Sequence, residues 1–282
     1  MNDILPPLEP TRNSSKPDHN KDFSRLEREV AKHMFRSDLP RRFFIFEGID
    51  GSGKTGLIKF LRHKLSALTK RRVEIIRQPG YTEVGEKVRD IIKHSQGLDW
   101  VTEILLLEAT RIEMAKKINQ ILKEDPETIF LLDRHADSTW VHQVRDTAAG
   151  DFYTDLLSNL ASQEVSFVQG FTANAGPENE SETITFFLDV SPEESLKRCQ
   201  FRVLENGEPR DRFDLAPVEL RRTWRQKYVG QILNRPFDYI VVNADRPAKI
   251  IGEEVLAACL VLLKLDGLSN PLASKLPPSD LS

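Results

Sequence analysis

The eight residues from position 48 to position 55, Gly-Ile-Asp-Gly-Ser-Gly-Lys-Thr, constrain this chain more than any other segment. They fit the pattern G-x-x-x-x-G-K-[ST] and stand between a short apolar run and a stretch with helical periodicity. In that setting backbone N–H groups converge on phosphate oxygens, and the helix N-terminus adds partial positive charge. A chance Gly/Ser turn would match the pattern in about one random chain of this length in two hundred. The motif therefore predicts a nucleotide phosphate site made by Gly48, Asp50, Gly51, Ser52, Gly53, Lys54 and Thr55.

Two side chains of this loop have predictable roles. The ammonium group of Lys54 reaches the outer phosphates, and the hydroxyl of Thr55 is placed to ligate Mg²⁺. The expected cofactors are therefore ATP and Mg²⁺.

Short β-branched or aromatic runs alternate with helical patterns along the chain. The runs are Phe43–Phe46, Val73–Ile76, Thr128–Leu132, Ile184–Leu188 and Tyr239–Val242. The helical patterns are Lys54–Thr69, Val84–His94, Val101–Lys123, Pro192–Leu204, Pro217–Leu233 and Pro247–Leu265. This alternation predicts an α/β fold of three layers with a central parallel five-stranded sheet. In such folds ligands bind beyond the carboxyl ends of the strands.

The two ends of the chain differ in composition from the middle. Residues 1–40 and 267–282 are polar and rich in Pro, which predicts tails that bury too little apolar surface to fold. Within the first tail, residues 23–35 carry apolar side chains at helical spacing, which favours one helix. One domain is expected over residues 41–266.

Charge and cysteine content narrow the function classes. The formal net charge of -3 gives no global cationic field for nucleic acid or anionic lipid, so contacts with polyanions need locally placed cations. Two cysteines make neither a disulfide framework nor a zinc cluster, and the first residues lack a signal peptide. We expect a soluble cytoplasmic protein without membrane partners.

The loop is shared by GTPases, ATPase motors and small-molecule kinases. The chain has no Asn-Lys-x-Asp segment of the kind that reads guanine, and no apolar strand ending in Asp-Glu. Both absences favour a kinase.

Five spaced segments resemble thymidylate kinases, in the order of that family. The opening Phe44–Thr55 is followed by an Arg-Gln-Pro-Gly turn at 77–80 and a Leu-Leu-Leu-Glu-Ala-Thr-Arg helix at 105–111. The segments Asp-Arg-His-Ala-Asp-Ser at 133–138 and Phe-Leu-Asp-Val-Ser-Pro-Glu at 187–193 complete the set. The resemblance covers about residues 43–265 and implies a P-loop nucleoside monophosphate kinase.

The resemblance implies roles for individual side chains. Arg77 and Arg134 would hold the acceptor phosphate, and Arg111 would reach the base edge. Asp50 would accept the sugar 3′-hydroxyl and help organise the metal, which favours a deoxyribose. Asp133 would be an outer ligand of Mg²⁺, although an N-cap of the next helix is the alternative. Further acceptor contacts fall to Leu107, Ser138, His142 and Gln143.

Residues 198–214 correspond to the lid of that family. Arg202, Arg210 and Arg212 could close over the transferring phosphoryl group, whose transfer needs charge neutralisation more than covalent chemistry. The phosphate loop contains no Arg, so the resemblance implies the arrangement in which the lid supplies it. A solvated basic loop is the alternative for each of these arginines.

Several positions depart from the family pattern. Leu107 replaces a base-stacking Phe, and Gln78, Tyr81 and His142 replace Glu, Gly and Tyr. Tyr81, Trp140 or His142 could supply another ring. A pair with Asp146 one helical turn away is a better interpretation of His142 than a metal ligand, since no third ligand stands nearby.

The sequence therefore predicts transfer of the γ-phosphate of ATP to a deoxypyrimidine monophosphate, with dTMP as the first choice. One alternative is a kinase of the same fold for a modified pyrimidine nucleotide, a nucleoside or a hydroxymethylated base in DNA. Only this last case implies a nucleic-acid partner. Another alternative is a non-catalytic nucleotide-binding module. The helix Val101–Leu122 is long enough to form a homodimer, as it does in the family.

Overall fold

A computed structural model describes residues 41–95, 97–144, 151, 183–206 and 212–264, with side chains omitted at 203–206. The strands are β1 (Phe43–Glu47), β2 (Val73–Arg77), β3 (Ile129–Asp133), β4 (Thr183–Asp189) and β5 (Tyr239–Asn243). The helices are α1 (Lys54–Thr69), α2 (Glu83–His94), α3 (Trp100–Glu124), α4 (Ala136–Gln143), α5 (Pro192–Asn206), α6 (Val218–Asn234) and α7 (Ala248–Leu262).

The five strands form one parallel sheet in the order β2-β3-β1-β4-β5. β1 lies at the centre, and all five of its residues are buried. Its side chains alternate between two apolar clusters: Phe44 and Phe46 pack on one face, and Phe43 and Ile45 on the other. The predicted three-layer α/β fold with a parallel sheet is therefore confirmed.

The sheet brings the ends of β1 and β3 together. Phe46 is in register with Asp133, the last residue of β3, and Arg77 at the end of β2 is opposite Asp133 on its other side. The phosphate loop follows β1 directly, so the end of β3 faces the loop. Parallel pairing thus gathers on one sheet edge residues that lie more than 80 positions apart.

Several predictions fall outside the described residues. The expected helix at 23–35 and the tails at 1–40 and 267–282 are among them. In the described ranges, none of the helices combines the length and the apolar character needed to cross a bilayer.

Candidate active site

The phosphate loop connects β1 to α1 through glycines with positive φ. Gly51 has φ 81°, and a Cβ placed there would lie 2.5 Å from the carbonyl oxygen of Ser195 at the start of α5. Gly53 has φ 93° and precedes the first residue of α1. A side chain at Gly51 would push α5 away, so the loop depends on glycine both for its shape and for its contact with α5.

Lys54 lies under this loop. Its Nζ donates to the carbonyl oxygens of Gly48 (2.7 Å) and Ile49 (3.1 Å) and to Oγ of Ser52 (3.2 Å). Burial, with the charge of Arg134, lowers the pKa of Lys54 to about 8. The lysine is thus held on the loop by uncharged acceptors, which a bound phosphate can replace.

Thr55 and Asp133 form the part of the site that suits a metal. Oγ1 of Thr55 donates to Oδ2 of Asp133 over 3.0 Å. In the described ranges, no group of three or more His, Cys, Asp or Glu side chains could hold a metal ion. Mg²⁺ is commonly held by one or two protein oxygens together with nucleotide phosphates and water, and this hydroxyl and carboxylate fit that donor set.

Arg134 and Asp50 join the phosphate loop to the end of β3. Nη2 of Arg134 lies 2.6 Å from Oδ1 of Asp50, and Nη1 contacts Oγ of Ser138 at 3.1 Å. Burial alone would raise the pKa of Asp50, but the cations of Arg134 and Lys54 outweigh it and hold that pKa well below its usual range. Asp50 is therefore ionised, and the pair can exchange partners with a ligand.

Glu47, the last residue of β1, organises the segment behind Arg134. Its carboxylate accepts from Oγ of Ser138 (2.6 Å), the Tyr228 hydroxyl (2.8 Å) and the backbone N–H of His135 (2.7 Å). Burial, with the charge of Asp137, raises the pKa of Glu47. The hydroxyl of Ser138, on α4, thus contacts both Glu47 at the end of β1 and Arg134.

A cleft of about 640 Å³, including its part open to solvent, extends from Asp50 and Arg134. Of the residues predicted from sequence to bind the acceptor, it brings together Asp50, Leu107, Arg111, Arg134, Ser138, His142 and Gln143. Side chains that sequence reasoning missed also line it, among them Arg89, Thr139 and Phe213. Four cations, Arg89, Lys93, Arg111 and Arg134, line the cleft together with apolar and uncharged side chains.

Arg77 does not line this cleft. Its Nη2 lies 3.0 Å from Oε1 of Glu86 on α2, and the arginine side chain is 45% exposed. Its predicted contact with the acceptor phosphate stays a prediction.

Arg89 on α2 does line the cleft, and its Nη1 donates to the Pro79 carbonyl at 3.1 Å. Burial, with the charge of Arg77, lowers the pKa of Arg89. Arg89 follows Glu86 by one helical turn and so lies on the same side of α2 as the carboxylate that holds Arg77, a contact that the sequence alone does not show.

Of Tyr81, Trp140 and His142, the three rings that could replace the family's Phe, His142 lines this cleft. Its ring packs edge to face on Trp224, with centroids 4.5 Å apart, and on Phe213 at 5.6 Å. Burial, with the charge of Arg134, lowers the pKa of His142 to about 3. The ring is therefore neutral and packed among aromatic side chains. Asp146, its expected partner, lies outside the described residues.

The described lid arginines contact carboxylates of the protein. Both Nη atoms of Arg212 lie 2.7 Å from the oxygens of Glu103 on α3. Arg202 pairs with Asp214, and Arg210 lies outside the described residues. Their predicted action on a transferring phosphoryl group would need these pairs to open.

Comparison with known proteins identifies the family. The family model described as "Thymidylate kinase" matches residues 46–255. A thymidylate kinase of Pelodictyon phaeoclathratiforme is 34% identical over 219 residues, which cover 75% of this chain and 92% of the relative. Thymidylate kinases of Thermoanaerobacter sp. and Caldanaerobacter subterraneus are 28% and 29% identical, over 76% and 79% of this chain and 95% and 97% of their own.

Proposed function

The chain belongs to the thymidylate kinase family, and we propose that it transfers the γ-phosphate of ATP to dTMP, giving dTDP and ADP. The observation that carries this proposal is the Arg134–Asp50 pair, which lies at the junction of the phosphate loop and the cleft. A donor nucleotide on the loop and an acceptor in the cleft would meet at this pair. Phosphoryl transfer depends mainly on such positioning and on charge neutralisation.

At the donor end, the backbone of the phosphate loop and Lys54 would bind the β- and γ-phosphates of ATP. Thr55 and Asp133 would hold Mg²⁺, which neutralises phosphate charge during transfer. The ammonium group of Lys54 contacts two uncharged backbone carbonyls. An anionic phosphate oxygen would form a stronger, charge-assisted hydrogen bond and would replace them.

At the acceptor phosphate, Arg134 would give a charge-assisted contact, with Arg89 as a second cation on the cleft wall. The carboxylate of Asp50, released from part of its contact with Arg134, would accept the 3′-hydroxyl of a deoxyribose. Because this carboxylate stays ionised, it can accept but not donate, which suits a hydroxyl partner.

The base would lie at the far end of the cleft. Leu107 gives apolar contact there, and Thr139 and Gln143 offer uncharged hydrogen-bonding groups. Phe213 and the neutral ring of His142 close the side next to α6. A pyrimidine has two apolar faces and a polar edge, which matches this division.

The direct test is ADP formation from ATP, Mg²⁺ and a panel of dTMP, other deoxynucleoside monophosphates, nucleosides and DNA with hydroxymethylated bases. Turnover with dTMP well above the others is expected. Turnover with another acceptor and none with dTMP would contradict the proposal in favour of the modified-pyrimidine alternative.

Two variants separate an enzyme from a nucleotide-binding module. Lys54→Ala is expected to lower kcat by several orders of magnitude, because the outer phosphates lose their cation. Arg134→Ala is expected to raise KM for dTMP and to lower kcat, because the acceptor phosphate loses a charge-assisted contact. Unchanged kinetics in Arg134→Ala would mean that this arginine does not touch the acceptor.

We further propose a cytoplasmic location and a homodimer. The two described cysteines, Cys199 and Cys259, are buried free thiols, as in a reducing compartment. Val84 and Ile91 on α2 and Leu105 on α3 are exposed apolar side chains on packed neighbouring helices, which favours a covered surface. Light scattering at micromolar concentration tests the dimer, and the mass of a single chain would contradict it.

A further inference from the structure

A buried ion pair lies next to the part of the cleft in which the base is proposed to bind, here called the base end. Glu108 and Arg111 are one turn apart on α3, and their side chains are each 4% exposed. Nε of Arg111 donates to Oε2 of Glu108 over 3.0 Å, and Nη2 donates to Oε1. The pair is therefore bidentate, with the carboxylate occupying one side of the guanidinium fork.

The other side of the same guanidinium faces α4. Nη1 of Arg111 donates to Oγ1 of Thr139 over 3.0 Å. Arg111 and Thr139 line the cleft, whereas Glu108 is not among the lining residues. The carboxylate of Glu108 thus fixes the orientation of the Arg111 guanidinium from the side away from the cleft. The guanidinium in turn positions the hydroxyl of Thr139.

The arginine–carboxylate pairs at the two ends of the cleft differ in how easily a ligand can separate them. At the phosphate end, Arg134 and Asp50 are 18% and 22% exposed and both line the cleft, so a ligand can separate them. At the base end, separating Glu108 from Arg111 would leave two buried charges, which is strongly unfavourable. Arg111 therefore remains paired while a ligand binds, and it donates hydrogen bonds as part of a pair that has no net charge.

We infer that Glu108 is a positioning residue for acceptor selection: by holding and neutralising Arg111, it makes this end of the cleft bind an uncharged pyrimidine edge rather than an anion. The inference rests on the proposed function. It also gives a reason for a carboxylate at a position to which the family resemblance assigns no particular residue. Without Glu108, the arginine would attract phosphate, and an acceptor could bind in the reverse orientation.

Glu108→Gln tests the inference, because it preserves shape while removing the charge. KM for dTMP is expected to rise between about tenfold and a hundredfold, the range of a charge-assisted hydrogen bond, with a smaller change in kcat at saturation. Glu254→Gln is the matched control, since Arg246 and Glu254 form an equally buried bidentate pair that does not line the cleft. It is expected to lower stability in a similar way without changing KM for dTMP.

A second measurement, the pH dependence of kcat/KM for an analogue with an ionisable base, responds to the charge of Arg111 rather than to its position. 5-Fluoro-dUMP loses its N3 proton more readily than dTMP, so raising the pH converts its base to an anion. In the wild-type protein kcat/KM for this analogue is expected to fall as its base ionises. In Glu108→Gln the unneutralised Arg111 should bind the anion, so the fall should be smaller than for the wild type.

The variant Arg111→Met separates action through the arginine from any other effect of Glu108. If Glu108 acts through Arg111, adding Glu108→Gln to Arg111→Met leaves KM for dTMP unchanged from the single Arg111 variant. An independent effect of Glu108→Gln in that background, or parallel pH profiles in the preceding test, would overturn the inference. Failure of the wild-type protein to phosphorylate dTMP would instead overturn the proposed function.

Discussion

At the scale of single residues, two arginines near the proposed acceptor phosphate differ in what they contact. Arg77 is half exposed and held by Glu86, whereas Arg89 lines the cleft and contacts a backbone carbonyl. A guanidinium without a competing carboxylate contact is the better ligand for an incoming anion.

Arg89→Ala is therefore expected to raise KM for dTMP by about tenfold or more, and Arg77→Ala by much less. Steady-state kinetics with ATP at saturation measure both variants under one condition. A larger effect at Arg77 would mean that its ion pair with Glu86 opens on binding and that Arg77 is the principal cation. This result would support the role that the family resemblance assigns to it.

His142 gives a prediction about pH. Its pKa of about 3 in the folded protein lies below the value near 6.5 in an unfolded chain. Below pH 6.5 the unfolded state therefore takes up a proton that the folded state does not, and the free energy of unfolding falls as the pH falls toward 3. Between pH 6.5 and 5 this loss is about 2 kcal/mol.

His142→Tyr removes the titrating group and keeps a ring in the aromatic contact with Trp224. Urea unfolding at pH 6.5, 6 and 5 is expected to show a shallower loss of stability for this variant than for the wild type. His63→Tyr on the exposed face of α1 is the control and should follow the wild type. Coincident profiles of wild type and His142→Tyr would show that the histidine takes up its proton without cost.

Sequence reasoning identified the residues that follow strands better than those that face the cleft from helices. Asp50, Lys54, Asp133 and Arg134 stand in a motif or directly after an apolar run, so their position on the sheet edge followed from the fold. Arg89 and Phe213 meet only in three dimensions, because α2 and the end of the lid approach the same cleft from separate parts of the chain. No local pattern contains that information.

At the scale of elements, predicted helices and strands agree with the structure to within a few residues at most ends. The eight-residue helix α4 was not predicted as an element of its own, because its sequence has little helical amphipathicity. The order of the strands could not be predicted either, since local periodicity does not report which strands pair. The central place of β1 is a long-range result.

The end of the lid is held by α6, which also contacts the phosphate loop. The buried side chain of Arg221 on α6 donates to the carbonyl oxygens of Phe213 (3.2 Å), Asp214 (2.9 Å) and Ala216 (3.0 Å). The same guanidinium reaches the carbonyl oxygen of Asp50 at 3.3 Å. Movement of the lid base is thus linked to the phosphate loop.

The Glu103–Arg212 pair gives a test of lid action. If its role is to hold Phe213 over the cleft, Glu103→Gln and Arg212→Ala raise KM for dTMP by similar factors, and the double variant adds little. If Arg212 instead neutralises the transferring phosphoryl group, as the sequence predicts, Arg212→Ala lowers kcat by orders of magnitude. Glu103→Gln would not do so. We expect the first pattern, because the pair is bidentate and Glu103 is buried.

At the scale of the whole molecule, net charge conceals how charge is arranged. The total of -3 excludes a uniformly basic surface. Within the described residues, ion pairs with nearby carboxylates neutralise Arg111, Arg134 and Arg212. An anion that binds Arg134 therefore competes with Asp50, and this links anion binding to rearrangement at the site rather than to a field over the surface.

Truncation tests where the N-terminal boundary of the kinase domain lies. The backbone N–H of Arg41 donates to the Leu262 carbonyl over 2.8 Å, and its guanidinium donates to the Thr183 carbonyl over 3.2 Å. Phe43 stacks on Phe130 with ring centroids 4.9 Å apart. Position 41 is thus part of the packed structure, and the domain limits of 41–266 stay a prediction.

A truncated chain of residues 41–266 is expected to retain kcat and KM within about twofold and to melt close to the full-length protein, because the proposed site and its supporting contacts lie inside it. A chain of residues 44–266 is the matched comparison: it loses the contacts of Arg41 and the Phe43 ring and should melt at a lower temperature. Thermal unfolding and steady-state assays measure both. Loss of activity in the 41–266 chain would mean that residues 1–40 or 267–282 contribute to the enzyme itself, with the amphipathic segment at 23–35 as the first region to restore.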